Sequence, residues 1–190
     1  MTPARRQTHT IVALVENRPG VLNRVASKVR QRNFNIESLA VGHSEIPGLS
    51  RMTFVVDAGT TDVEQVVKQL DKLVDVVHIE DISHQDMVSR ELAVIKVRST
   101  PATRSEILQI VDIFRAGIID VTTDSLIVEA TGDQDKLESL IQLLQEFGII
   151  ELCRTGRVAM PRGSARVGPE EEPHLLLPHL QGGRAPGGIY

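Results

Sequence analysis

The chain of 190 residues has no tryptophan, one tyrosine and four phenylalanines, so it lacks the flat rings on which unpaired bases stack. It has one cysteine, Cys153, which excludes an internal disulfide and reads as a small buried or half-buried residue rather than a nucleophile. No apolar run approaches the roughly 20 residues of a membrane span. Arg5 and Arg6 are not followed by the apolar stretch of a secretory signal. Basic residues are not in excess: 21 Lys and Arg against 25 Asp and Glu give a net charge of −4, which argues against a nucleic-acid partner. What remains is ordinary for a soluble globular protein, with 41% hydrophobic and 24% charged residues. These features together predict a cytoplasmic chain with neither membrane nor nucleic acid as partner.

The most informative stretch is Asn17-Arg18-Pro19-Gly20-Val21-Leu22. Before it, Ile11-Val12-Ala13-Leu14-Val15 has the length and β-branched content of a buried strand. After it, Leu22, Val25, Ala26 and Val29 recur at helical spacing. Pro19 suits a helix start, where a missing N–H costs nothing. Gly20 leaves the first turn without a side chain, so a ligand can approach the backbone. Free N–H groups there, with the positive end of the helix dipole, form a seat for a small carboxylate. The stretch therefore reads as a sensor of a small anionic metabolite.

The same order of elements occurs twice. The first set predicts a strand over 9–16, a helix over 19–32, strands over 35–43 and 50–57 around the hairpin signal at 46–48, a helix after Thr61, and a strand over 76–79. The second predicts a strand over 91–97, a helix over 103–115, short strands over 118–122 and 126–130, a helix over 134–147 ended by Gly148 at C′, and a strand over 149–152. Each set is βαββαβ, which places both helices on one face of an antiparallel sheet. The fold class is α+β, two ferredoxin-like units in tandem, spanning 8–84 and 89–160 with a link over 83–89. Residues 161–190 are rich in Pro, Gly and Glu and read as a disordered tail, in which Leu175-Leu176-Leu177 can dock transiently. His174 and His179 have Pro178 between them and no acidic or thiol companion at helical spacing, so no metal site is expected. Residues 11–15 and 92–95 do not alternate, so both faces of these central strands want cover. A second subunit supplies it, or one repeat covers the other.

Asn17, Gly20 and Leu22 within a βαββαβ unit resemble the ACT domain, a ligand-binding regulatory module of amino-acid metabolism. The likeness narrows with residues 33–39 (Asn33-Phe34-Asn35-Ile36-Glu37-Ser38-Leu39), Ser50-Arg51-Met52-Thr53, residues 70–76 and Ser89-Arg90-Glu91-Leu92-Ala93. Phe114-Arg115 followed by Ile119-Asp120-Val121 carries it into the second half. Over residues 8–163 the chain is similar to the regulatory small-subunit family of acetolactate synthase. That resemblance implies a non-catalytic chain that binds the large catalytic subunit, raises its activity and confers feedback inhibition by valine or another branched-chain amino acid. Thiamine diphosphate, magnesium and flavin (FAD) would sit on the catalytic partner and none on this chain. The effector would lie between the paired ACT domains of a homodimer, with Asn17, Gly20, Val21 and Leu22 on the loop side and Asn35 and Ile36 on the partner side.

The chemistry suits a zwitterion with a branched side chain. N–H groups near Gly20 and Val21 take the carboxylate, an Asn17 or Asn35 amide takes either charged end, and Leu22 and Ile36 enclose the isopropyl group. Other roles stay open at this point. Asn17 caps the helix, Gly20 only permits a turn, Asn35 satisfies local backbone, and Ser50 with Arg51 is either a solvated hairpin edge or a contact with the large subunit. Two rival readings remain as well. One is a free-standing ACT-type amino-acid sensor. The other is an acylphosphatase-like small hydrolase using Arg18 and Asn35, although the glycine-rich cradle of that family is missing and Pro19 removes a backbone donor. No nucleophile–base constellation, phosphate loop or zinc spacing is visible.

Overall fold

A computed structural model describes residues 8–31, 34–57 and 60–168. The first unit runs β1 (Thr8–Glu16), α1 (Val21–Arg30), β2 (Ile36–His43), β3 (Leu49–Asp57), α2 (Thr60–Leu70) and β4 (Val76–Asp81). Its strands lie in the order β2-β3-β1-β4, all antiparallel. The second runs β5 (Met87–Arg98), α3 (Arg104–Ile113), β6 (Gly117–Val121), β7 (Ser125–Gly132), α4 (Gln134–Gln145) and β8 (Ile149–Arg154), in the order β6-β7-β5-β8. The architecture is thus two ferredoxin-like units in tandem. Among the described residues no helix is long and apolar enough to cross a membrane.

The helices follow their apolar stripes. Val21, Val25 and Val29 turn one side of α1 onto Ile11, Ala13 and Val15 of β1. Leu137, Leu140 and Leu144 do the same for α4 against Ala93, Ile95 and Val97. Asp133 caps α4, its carboxylate accepting from the Lys136 N–H at 2.9 Å. Gly148, expected at C′, lies one position further on, at C″, with φ 91°. Arg115 holds the left-handed position after α3 at φ 51°, where the Ala116 and Arg115 N–H groups close a Schellman motif onto Val111 and Asp112.

Three features depart from the sequence reading. First, a strand β9 (Val158–Pro161) pairs antiparallel with the start of β5, Met87 opposite Pro161. Second, packing continues past residue 161. Val167 is 3% exposed and joins Val12, Ile82 and Ala159, with Met87 beside them, while Leu14 is closed in by Ile46, Leu49 and Val77. The outer face of the first sheet is therefore covered by the chain's own β5–β9 ribbon, residue 167 and the β2–β3 hairpin, and neither a second subunit nor the second sheet is needed to bury residues 11–15. Third, Cys153 is exposed, because it lies on the edge strand β8 with nothing laid over it. Residues 169–190, including His174, His179 and Leu175-Leu176-Leu177, lie outside the described residues.

Candidate functional site

Arg18, Pro19, Gly20 and Val21 make a type II turn. Gly20 has φ 85° and ψ −11°, and the Val21 N–H reaches the Arg18 carbonyl at 3.4 Å. Pro19 therefore occupies the second position of a turn, and α1 begins at Val21 rather than at Pro19. Gly20 is the N-cap residue, its carbonyl accepting from the Arg24 N–H at 3.0 Å, and no side chain caps the helix. A Cβ at Gly20 would meet only Arg24 Nη1, at 3.5 Å, so the left-handed φ rather than crowding calls for glycine here. The first-turn N–H groups of α1 are left for solvent or a ligand.

Asn17 does not cap α1. Its N–H donates to the Gly48 carbonyl at 2.8 Å and its Nδ2 lies 3.3 Å from His43 Nδ1, which ties the end of β1 to the β2–β3 hairpin. Val21 sends its side chain into the core and its N–H closes the turn on Arg18, whereas Leu22 is 46% exposed. The turn rests on charges that sequence reading did not single out. Arg24 grips Asp75 with two hydrogen bonds of 2.7 Å, Arg18 pairs with Glu16, and the Glu16 N–H donates to the Asp75 carbonyl at 2.8 Å. Arg24 and Asp75 are 51 positions apart, so no local pattern announces the pair.

Asn35 is exposed and Ile36 half-buried against the first core. They stand at the far end of the sheet from Asn17. Ile36 is opposite Val56 and His9 follows in the same row, while His43 is opposite Ser50 and Val15. Seven steps of strand separate the two ends, about 23 Å. Within one chain, Asn17, Gly20 and Leu22 are brought together, and Asn35 and Ile36 are not brought to them. The same separation removes the hydrolase reading, since Arg18 and Asn35 cannot meet on one phosphate.

Ser50 and Arg51 are not a solvated hairpin edge. Ser50 is buried between Val15 and His43, and Arg51 donates from Nη2 to Glu45 Oε1 at 3.0 Å and to the Val167 carbonyl at 3.4 Å. Its own backbone N–H draws the Glu45 carboxyl below the usual glutamate range, burial opposes this, and Arg51 adds to the lowering. Arg51 opens on an apolar cavity of about 340 Å³ between β2, Val88 and the β9 residues Val158 and Met160.

The two units meet at residues 154–157. The Arg157 N–H donates to Ser38 Oγ at 2.7 Å, and its guanidinium reaches Thr10 Oγ1 at 3.4 Å and the Glu91 carboxylate at 3.7 Å, with Gln134 alongside. Gly156 lies so close to Leu39 that a Cβ there would overlap its carbonyl. This seam touches β2 two residues after Ile36.

Comparison with known proteins follows the same division. Residues 11–78 match the family model described as the AHAS small subunit-like ACT domain, and residues 90–163 match that for the small subunit of acetolactate synthase. The chain is 52% identical over 158 residues to a probable acetolactate synthase small subunit of Archaeoglobus fulgidus, covering 83% of this chain and 99% of that one. It is 51% identical over 155 residues to the acetolactate synthase small subunit of Bacillus subtilis, covering 81% and 90%. It also resembles the crystal structure of the acetolactate synthase small subunit from Thermotoga maritima, with a TM-score of 0.77 and 42% identity over 84% of this chain and 99% of that one. Both halves match in order, and relatives about half identical extend along most of the length: the chain belongs to the acetolactate synthase small-subunit family.

Proposed function

We propose that this chain is a non-catalytic regulatory subunit that binds the large catalytic subunit of acetolactate synthase in the cytoplasm, raises its activity and carries feedback inhibition by valine or another branched-chain amino acid. Thiamine diphosphate, magnesium and FAD then belong to the large subunit. The first unit, 8–84, receives the effector; the second, 89–160, and the remainder to 190 complete the subunit.

The observation that carries this reading is the placement of the two half-sites at opposite ends of an edge strand. Among the described residues β2 is an edge strand, with no strand paired on its outer side. Two copies pairing β2 against β2 in antiparallel fashion bring Asn35 and Ile36 of one beside Asn17, Gly20 and Leu22 of the other. One polar half-site offers the uncapped N–H groups of α1 to a carboxylate. The other offers an exposed amide to the ammonium and Ile36 to the aliphatic side chain. A site completed only by a pair of subunits lets effector binding alter how the pair is arranged, which a non-catalytic chain needs in order to act on another protein. Of Ser50 and Arg51, only Arg51 has an open face toward a large subunit.

The test mixes the purified chain with the large subunit and measures acetolactate formation with and without each branched-chain amino acid. Activation together with inhibition by valine, leucine or isoleucine supports the reading. Absence of activation, with the effector still bound, points to a free-standing amino-acid sensor instead.

A further inference from the structure

His9, at the start of β1, is 1% exposed. Its Nδ1 lies 2.7 Å from Asp81 Oδ2, but its Nε2 is buried and has no hydrogen-bond partner among the described residues. A neutral imidazole has one donor and one acceptor nitrogen, so a ring stranded on one side at this depth forfeits an interaction that water would supply. Asp81 is held on its other oxygen by the Ser83 N–H at 3.0 Å and by the Ser83 hydroxyl. His84 follows on the exposed turn, its ring 5.9 Å from that of His9 and edge-on to it. One nitrogen from each histidine and one oxygen from Asp81 all lie within 4.8 Å of one another.

We propose that His9, Asp81 and His84 form a site for a divalent first-row transition ion, zinc or nickel, at the passage from the first unit to the second. Two imidazoles and one carboxylate are the donor set such ions select over magnesium or calcium. Zinc draws nitrogen and oxygen donors to about 2.0–2.2 Å, which sets tetrahedral neighbours about 3.3 Å apart. His9 Nδ1 and Asp81 Oδ2 lie 2.7 Å apart, so ligation through them replaces their hydrogen bond and parts them by about 0.6 Å, while the exposed His84 moves inward. Spacing along the chain hides the site, because 72 positions separate His9 from Asp81. A bound ion would clamp the turn after β4 onto the start of β1. This inference is independent of the effector reading.

The experiment is calorimetric titration of the chelator-treated full-length chain with zinc chloride and, separately, nickel chloride. One saturable ion per chain is expected. His84→Ala, a surface change that leaves the fold alone, weakens it by at least the ten- to hundredfold that loss of an outer-shell partner causes, and Asp81→Asn acts in the same direction. His174→Ala with His179→Ala leaves it unchanged. Cobalt loading gives an absorption band that His84→Ala removes. No saturable binding overturns the proposal, as does His84→Ala binding like the unaltered chain, or loss of the ion in the His174/His179 variant.

Discussion

The two units share a topology and differ in what lies over their sheets. Along β1 every residue from His9 to Glu16 is buried, and Val12 and Leu14 face outward yet are as closed to solvent as the core. Along β5 burial alternates: Ala93, Ile95 and Val97 are closed while Leu92, Val94 and Lys96 are half open. One face of each sheet carries its own two helices. The other face of the first is roofed by the β5–β9 ribbon and Val167, and that of the second by nothing among the described residues. A repeated fold therefore does not imply a repeated role. The roofed sheet holds its β1–α1 turn on a base buried on both faces, which suits the effector site proposed there, and the open sheet leaves Leu92, Val94 and the exposed Cys153 accessible.

The sharpest way to break this contrast is to shorten the same residue type on both outer faces. Leu14→Ala is expected to cost about 2–5 kcal/mol, since its contacts with Ile46, Leu49 and Val77 leave a cavity. Leu92→Ala is expected to cost less, because its side chain is only partly buried. Equal losses in denaturant unfolding would mean that the second sheet is covered as well. Gly156→Ala comes next. Its Cβ has no room against the Leu39 carbonyl, so the seam must open, at about 1–3 kcal/mol. An unchanged midpoint would show that the 154–157 loop is free of β2.

Gly20→Asp tests the first unit's role. It places a side chain in the left-handed region at about 1–2 kcal/mol and a negative charge where the proposed effector's carboxylate would be received. Reconstituted enzyme is expected to stay activated by the variant and lose valine inhibition. Inhibition that survives moves the effector site elsewhere. On the second unit the opposite change is expected to stabilise: Arg115→Gly relieves a side chain at φ 51° and gains up to about 1 kcal/mol in unfolding experiments.

Both βαββαβ units were legible because each strand and helix announces itself within a dozen residues. Val21, Val25 and Val29 give one helical stripe, and residues 11–15 one unbroken apolar strand. What was not legible depends on partners far apart in the chain. β9 pairs with Met87 across more than seventy positions and contains Pro161, which reads as a stop. Val167 sits among Arg, Gly and Ser that suggest no packing. The unbroken run at 11–15 correctly signalled cover on both faces but not its source. The run at 92–95 gave the same signal, and there the chain itself provides none. At the candidate site the glycine was legible from its neighbours, while Pro19, read as a helix start, serves a turn, and Asn17, for which helix capping stood as the alternative to effector binding, ties down a hairpin. The Arg24–Asp75 pair beneath them has no local signature.

The smallest effect concerns Asp81, where the first unit passes to the second. Its carboxyl sits below the usual aspartate value when folded, so the unfolded chain binds its proton more readily. The stability that this adds is complete above the unfolded value of about 3.9 and is lost as pH falls through the lower folded value. Asp81→Asn is therefore expected to lower the melting temperature at neutral pH, in chelator, and to differ less and less from the unaltered chain as pH drops below about 4. If the Asp81→Asn deficit is the same at both ends of the pH range, the Ser83 and His9 contacts do not favour the charged form, and the junction is held by packing of Ile82 alone.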